Sequence, residues 1–395
     1  MSGRIFLPKG FQFSAATAGI KASGKPDIGL IVTGPEATAA ALFTRNLIVA
    51  APITVGRASL ARSKGRVRAV LVNSGNANCA TGPRGIKACK DVCLATAKLL
   101  SLSREQVFPS STGIIGVQLP TDKIFHALPT LMNAREASLD KLHCFADAIL
   151  TTDSRAKLAS ISLRSGAAVV TGIAKGAGMI HPQLATMLVY LVTDIVGSPA
   201  QLRQSVQNAC QESFNVISID GDTSTNDTVL LLASGASGIK LRGIETEFQI
   251  ALHEVCRSLA QQIVADGEGV QHVIRLFVKG ARNRAEALQV ARAISHSLLV
   301  KTAWAGADPN WGRILAAIGR SGVAVDPRKL NLIIGDQIVC RAGAACDFDV
   351  RRAHEELSKP ESRIEVHLGR GKSALEFLTT DLTTEYVRIN ADYST

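Results

Sequence analysis

Short aliphatic runs separated by amphipathic stretches of helical period constrain this chain most. AVLV at 69–72 and TVLLL at 228–232 read as buried strands, whereas RIEVHL at 363–368 alternates and reads as a half-buried one. Between them, 85–102 carries apolar residues at 86, 89, 93, 97 and 100, and 245–264 and 283–300 keep the 3.6-residue period. Ser198 and Pro199 supply an N-cap and a first-turn proline for a helix over 201–212. Strands interspersed with helices of this length describe an α/β protein. A strand at 273–278 ends in a polar, glycine-containing turn, which sets a domain boundary near 280–285: a larger α/β domain over 1–280 and a smaller C-terminal α/β domain over 281–395. Composition agrees, because 33 Gly against 12 Phe, 3 Tyr and 2 Trp call for cores of Val, Ile, Leu and Ala. With 46% hydrophobic and 19% charged residues, disorder, collagen and small disulfide scaffolds are excluded.

The net charge of +11 raises the question of a nucleic-acid partner. Basic residues cluster at 62–68 (RSKGRVR) and 279–284 (KGARNR), but neither run is interleaved with aromatics for base stacking, and no zinc-finger or RNA-recognition signature is present. The charge reads as a solvated rim, or as a field that draws in small anionic substrates; no nucleic acid is expected. None of the eight cysteines falls in a C-x-x-C arrangement, and Cys89 and Cys93 are followed by no ligand pair, so no metal is expected. Free thiols suit a reducing cytosol. The first 24 residues lack an apolar signal core, and no run approaches the ~20 apolar residues of a membrane helix, which gives a cytoplasmic expectation with no membrane partner. A phosphate loop is not expected either: KGAG at 175–178 is too short to wrap a pyrophosphate.

Polar residues normally thin out where strands are buried, yet five dense blocks interrupt the apolar segments: NSGNAN (73–78), SSTGIIG (110–116), DGDTSTND (220–227), DGEG (266–269) and DPNWGR (308–313). Each alone reads as a turn, because Gly, Asn and Asp tolerate positive φ and bond their own backbone. Together they mark loops held by a rigid sheet, where sites are built. KGAGMIHPQLATMLVYLVTD at 175–194 joins them.

These motifs, together with GIK at 19–21, AAP at 50–52, TTD at 151–153, Phe214-Asn215, VKT at 300–302, DLT at 381–383 and YVRINADYST at 386–395, occur in the order seen in the ornithine acetyltransferase, or glutamate N-acetyltransferase, family, which the chain resembles from end to end. The resemblance implies a layered α/β sandwich and self-cleavage between Ala185 and Thr186, giving an alpha chain 1–185 and a beta chain 186–395. Thr186 would be the nucleophile, and its freed α-amine, with an unperturbed pKa near ~8, the local base. An oxyanion hole would fall at Thr112 and Gly113; such a donor is worth roughly 3–4 kcal/mol in the transition state. By the same resemblance Lys175 and Glu268 would face the amino-acid ligand, with Thr151 (or its neighbour Thr152), Asn390 and Thr395 completing the pocket. The implied reaction moves acetyl from N-acetylornithine to glutamate through an acetyl-threonine, the recycling step of arginine biosynthesis, with no cofactor and with acetyl-CoA as an optional second donor. The implied assembly is a heterotetramer of two alpha and two beta chains.

The chain departs from the family pattern at His181-Pro182, where Ala-Pro is common, and at AWAGA (303–307), which suggests that His181 is a pocket-edge residue or a base and that Trp304 and Ala307 alter the pocket. Two other readings stand beside the transferase: a self-processing amidase or aminopeptidase-like hydrolase, in which water resolves the acyl-enzyme, and a basic nucleic-acid-binding protein without catalysis.

Overall fold

A computed structural model describes residues 4–181 and 187–392, apart from the side chain of Ser165. The first part of the chain forms β1 (Phe11–Ala16), β2 (Ile28–Thr33), β3 (Thr38–Phe43), α1 (Ala51–Arg62), β4 (Ala69–Asn76), α2 (Gly82–Leu100), β5 (Val107–Ile114), α3 (Thr121–Asn133), α4 (Leu139–Ala148), β6 (Lys157–Leu163) and β7 (Ala168–Lys175). There follow β8 (Leu188–Thr193), α5 (Pro199–Gln211), β9 (Thr228–Ala233), α6 (Glu245–Ala265), β10 (Val273–Ala281), α7 (Arg284–Ser295), α8 (Leu298–Ala305) and α9 (Trp311–Gly319). The chain ends with β11 (Asn331–Ile334), β12 (Gln337–Arg341), β13 (Ala344–Ala345), α10 (Val350–Leu357), β14 (Glu361–His367), β15 (Ser373–Thr380) and α11 (Thr384–Asp392).

Three sheets result, and the α/β expectation holds. The first runs β1-β2-β4-β5, with β4 and β5 parallel; the second runs β3-β9-β8-β7-β6, with β8 and β9 parallel. They stack face to face. Because side chains alternate across a strand, Val70 and Val72 of β4 point into the core between the sheets, against Leu188, Tyr190 and Val192 of β8, while Ala69 and Leu71 point the other way, onto α1 and α2. In β8, Val189 and Leu191 pack outward onto α5 and α6. Strands covered on both faces must be apolar throughout, which is why AVLV and TVLLL do not alternate. The layers are therefore helices, sheet, sheet, helices.

The third sheet, β13-β12-β11-β14-β10-β15, is covered along one face by helices, while its other face meets the α6 core only at Leu378 of β15 and Val273 of β10 among the described residues. Ile364 and Val366 turn toward the helices α7–α9, and Arg363 and Glu365 turn away, which accounts for the alternation in RIEVHL. A domain boundary at 280 falls at the end of β10, a strand hydrogen-bonded between β14 and β15, so this sheet begins at Val273. The basic run at 279–284 is tied into surface ion pairs: Lys279–Glu365 at 2.6 Å, Arg282–Glu286 at 2.6 Å and Arg284–Glu212 at 3.1 Å.

One helix differs from the sequence reading. The single helix over 283–300 is two, α7 and α8, broken at His296 and Ser297. The Ser297 hydroxyl caps α8 by accepting from Val300 N (3.5 Å), so a serine inside an otherwise continuous period offers the backbone a second start. Among the described residues no helix is long and apolar enough to cross a membrane, and no group of three or more His, Cys, Asp or Glu is placed to hold a metal.

Candidate active site

The parallel strands β4 and β5 end side by side, and their register shifts between Gly75 and Asn76. Gly113 sits at this shift with φ of 129°; a Cβ there would lie 2.3 Å from Gly75 C and 2.5 Å from Asn76 N, so only glycine permits the approach. The asparagines of NSGNAN spend their amides on backbone. Asn73 Nδ2 donates to Asn76 O (2.8 Å), Asn76 Nδ2 to Val117 O (3.1 Å) and Asn78 Nδ2 to Gly85 O (3.0 Å), while Ser111 Oγ donates to Asn73 Oδ1 at 2.6 Å. Buried amides satisfied in this way hold a turn in one shape. Thr112 and Gly113 are thereby fixed at its lip. Asn226, from the DGDTSTND block, closes the gap between the two stacked sheets by donating Nδ2 to Ala77 O (2.7 Å) and Ser111 O (2.8 Å).

The second sheet contributes Lys175, the last residue of β7. Its Nζ donates to Thr151 Oγ1 (3.0 Å) and Thr112 Oγ1 (3.3 Å) and lies 3.9 Å from Asp153 Oδ2. Asp153 also accepts from Lys157 Nζ at 2.7 Å, Gly176 N at 2.5 Å and Thr151 N at 3.1 Å, and Lys157 reaches Asp266 at 2.6 Å. Lys175, Asp153, Lys157 and Asp266 thus form a buried row of alternating charge. Burial by itself would push the Asp153 carboxyl up; Lys175 and Lys157 outweigh it and hold the group at about 2.

Glu268 of DGEG is placed by its own N–H, which donates to Ala177 O at 2.9 Å. Its carboxylate lies against Gly178, where a Cβ would sit 2.3 Å from Oε2. The C-terminal helix α11 reaches the same spot: Thr383 Oγ1 donates to Gly269 O (2.6 Å) and Asn390 Nδ2 to Glu268 Oε2 (2.9 Å).

Thr112, Gly113, Thr151, Thr152, Lys175, Glu268 and Asn390 all line one cavity of about 110 Å³. Of the two adjacent threonines, it is the Thr151 hydroxyl that Lys175 holds. Four of the five polar blocks contribute to this cavity. DPNWGR does not; Asn310 caps α9 by accepting from Arg313 N (3.3 Å), so that block is a helix start. Trp304 and Ala307 are buried in the core of the third sheet, away from the cavity, and so do not shape it. His181 does not line it either: its ring meets His296. Larger clefts of about 690 and 720 Å³, beside α6 and between α1 and α5, bring together no comparable set of groups.

Ala185, Thr186 and Thr395 lie outside the described residues. The described residues on either side of 182–186 are held beside the cavity by two acids. Asp220 accepts from Met179 N (2.5 Å) and Ile180 N (2.9 Å), and Asp227 accepts from Met187 N (3.0 Å). Burial pushes the Asp220 carboxyl up to about 6 and the Asp227 carboxyl well above its usual range. Leu188 stands opposite Lys175 in the β7–β8 ladder.

Asp153, Lys157, Asp220, Asp227 and Asn226 were not singled out from sequence. Lys21 belongs with them: burial, with a smaller effect of Lys175 and against the pull of Asp27, lowers its ammonium to about 8. Their only one-dimensional trace is their place inside the polar blocks, in the GIK and TTD motifs or, for Lys157, shortly after TTD.

Known proteins place the chain. The ArgJ family model matches residues 12–395. The arginine biosynthesis bifunctional protein ArgJ of Thermus thermophilus is 44% identical over 392 residues, spanning 99% of this chain and 100% of its own, and that of Chlorobaculum tepidum is 41% identical over 396 residues, spanning 99% and 97%. Among solved structures, ornithine acetyltransferase complexed with ornithine from Mycobacterium tuberculosis is 38% identical with a TM-score of 0.43, covering 45% of this chain and 94% of that one. With matches of this extent, the chain belongs to the ArgJ family.

Proposed function

We propose that this protein is a glutamate N-acetyltransferase that carries acetyl from N-acetylornithine to glutamate on Thr186. The observation that carries the reading is the convergence of Thr112, Gly113, Thr151, Lys175, Glu268 and Asn390, drawn from separate parts of an ArgJ-family chain, on one small cavity.

Self-cleavage at Ala185–Thr186 begins with attack of the Thr186 hydroxyl on the Ala185 carbonyl, moving the acyl group from nitrogen to oxygen. That shift frees the Thr186 amine, and water then hydrolyses the ester, releasing the Ala185 carboxylate and the Thr186 hydroxyl. In the mature enzyme that amine takes the hydroxyl proton as Thr186 Oγ attacks the acetyl carbonyl, and passes it to the departing amine of ornithine. The Thr112 hydroxyl and Gly113 N–H are the donors for the developing oxyanion. Acetyl-Thr186 then yields its acetyl group to the α-amine of glutamate by the same steps reversed. Lys175 offers an ammonium to a substrate carboxylate, and Glu268 a carboxylate to the ornithine ammonium. Because the ester itself holds the acetyl group, the route needs no metal or organic cofactor, and acetyl-CoA can load the same threonine. The reading extends to a cytoplasmic heterotetramer of two alpha and two beta chains.

Gel electrophoresis and intact mass of the protein and of Thr186→Ala test it. Two fragments are expected from the first and a single uncleaved chain from the second, with acetyl exchange between acetylornithine and labelled glutamate only in the first. An uncleaved, inactive parent protein overturns the reading, and release of free acetate in place of acetylglutamate points to the hydrolase.

A further inference from the structure

The break between α7 and α8 puts His296 against the peptide that leads to residue 182. His296 Nε2 lies 3.0 Å from His181 Nδ1, with ring centroids 4.4 Å apart, and 3.1 Å from Ser218 Oγ. Ser218 Oγ in turn lies 3.0 Å from Ile180 O. Gly221 packs on the ring face, where a Cβ would come within 3.4 Å. One imidazole from the C-terminal layer therefore engages the last two described residues before 182–186, His181 directly and Ile180 through Ser218.

Counting protons restricts the arrangement. Ser218 donates its single proton to Ile180 O, so His296 Nε2 carries the proton shared by Ser218 Oγ and His181 Nδ1. This pattern uses two neutral rings. The charged groups facing the pair are cations: Arg292 on α7, Lys301 on α8 and Arg320 beyond α9 act on His296, and Arg292 acts on His181. Lys301 is itself flanked by Asp381 and Asp220, and Arg292 by Arg45.

We propose that His296 is a positioning residue for self-cleavage, aligning the peptide that leads to Ala185–Thr186 by holding Ile180 and His181 through Ser218 and the paired rings. The inference rests on the Thr186 reading above. Burial, then Arg292, holds His181 at about 4, and burial, then His181 and the lysine and arginines, holds His296 at about 3, against an ordinary 6.5. Depressed values of this kind mean that an opened chain binds protons more readily than the closed one. The paired arrangement is therefore at full strength above 6.5 and weakens as the pH falls through 6.5 toward 4.

The test uses the full chain, pulse-labelled in cell-free translation, shifted to buffers between about pH 4 and 8, and followed by the appearance of the two fragments. His181→Ala and His296→Ala are expected to slow cleavage about five- to tenfold near neutrality, the loss of roughly one hydrogen bond. His181→Asn keeps a polar atom near Nδ1 and His296→Gln one near Nε2, so each restores the rate to within about twofold, and the double conservative variant, without a titrating ring, has a shallower acid limb than the wild type, the remainder belonging to Asp220, which holds Ile180 N and titrates at about 6. Acetyl exchange per cleaved chain stays unchanged in all of them. Wild-type rates in the alanine variants, or an acid limb in the double conservative variant as steep as that of the wild type, overturn the inference while leaving the Thr186 reading intact. A wild type that never cleaves overturns both.

Discussion

Asp153 is the residue on which the electrostatics of the cavity turn. Its side chain is fully buried between Lys157, equally buried, and Lys175, 6% exposed. Breaking a buried pair from one side leaves uncompensated charge and costs about 3–5 kcal/mol. Asp153→Asn leaves Lys157 with Asp266 and Lys175 with only the Thr151 and Thr112 hydroxyls, so urea unfolding is expected to show a loss of about that size. The pH dependence follows from signs. Asp153, held at about 2 against an ordinary 3.8, adds stability that is present above 3.8 and lost as the pH falls through 2. Asp220, raised from 3.8 to about 6, acts oppositely: it weighs against the folded state increasingly as the pH rises from 3.8 through 6. Thr112, Lys175 and Glu268 were legible in the sequence because they sit inside recognisable motifs. The roles of Asp153, inside TTD, and of Lys157 and Asn226 were not, since a charged or amide side chain looks the same along the chain whether it is solvated or buried against a partner from another strand.

Strand type was readable because period follows burial: two covered faces make AVLV and TVLLL uniformly apolar, and one covered face makes RIEVHL alternate. Helix ends were readable where the cap is local. Ser198 accepts from Gln201 N (3.3 Å), and Ser198 N donates to Gln201 Oε1 (3.0 Å), closing a capping box at the start of α5. Ser198→Ala is expected to cost about 1 kcal/mol in thermal or urea unfolding while leaving acetyl exchange unchanged, because α5 packs on the outer face of the second sheet. The α7–α8 break escaped the periodicity because both helices bury into the same core and their apolar residues continue the same apparent stripe. Only the placement of Ser297 and His296 in space reveals two elements.

At the scale of the molecule, a cut at 185–186 does not divide the fold. β7 pairs with β8 and β3 with β9, so β8 and β9 from one side of the proposed bond lie between β3 and β7 from the other, and both cores of this sheet draw on the two halves. The cleaved chains are expected to co-elute on size exclusion at all native conditions and to separate only in denaturant; separation without denaturant contradicts the interleaving. The net charge of +11 is also changed by this view. Several cations in the basic run at 279–284 are paired with acids on the surface, whereas Lys175, the cation proposed to meet the substrate, is buried at the cavity.

The sequence by itself determined the α/β character, most of the buried strands, the local helix caps and the motifs whose residues line the cavity, because those depend on periodicity and short-range hydrogen bonding. Tertiary structure alone decided which polar blocks meet. It gathered four and left DPNWGR as a helix cap, turned Trp304 into core, drew Lys157 and Asp153 into one buried row, and set His296 beside His181. The reason is physical: burial and charge pairing are properties of neighbours in space, and stacked sheets bring together residues more than a hundred positions apart, such as Asn226 and Ser111.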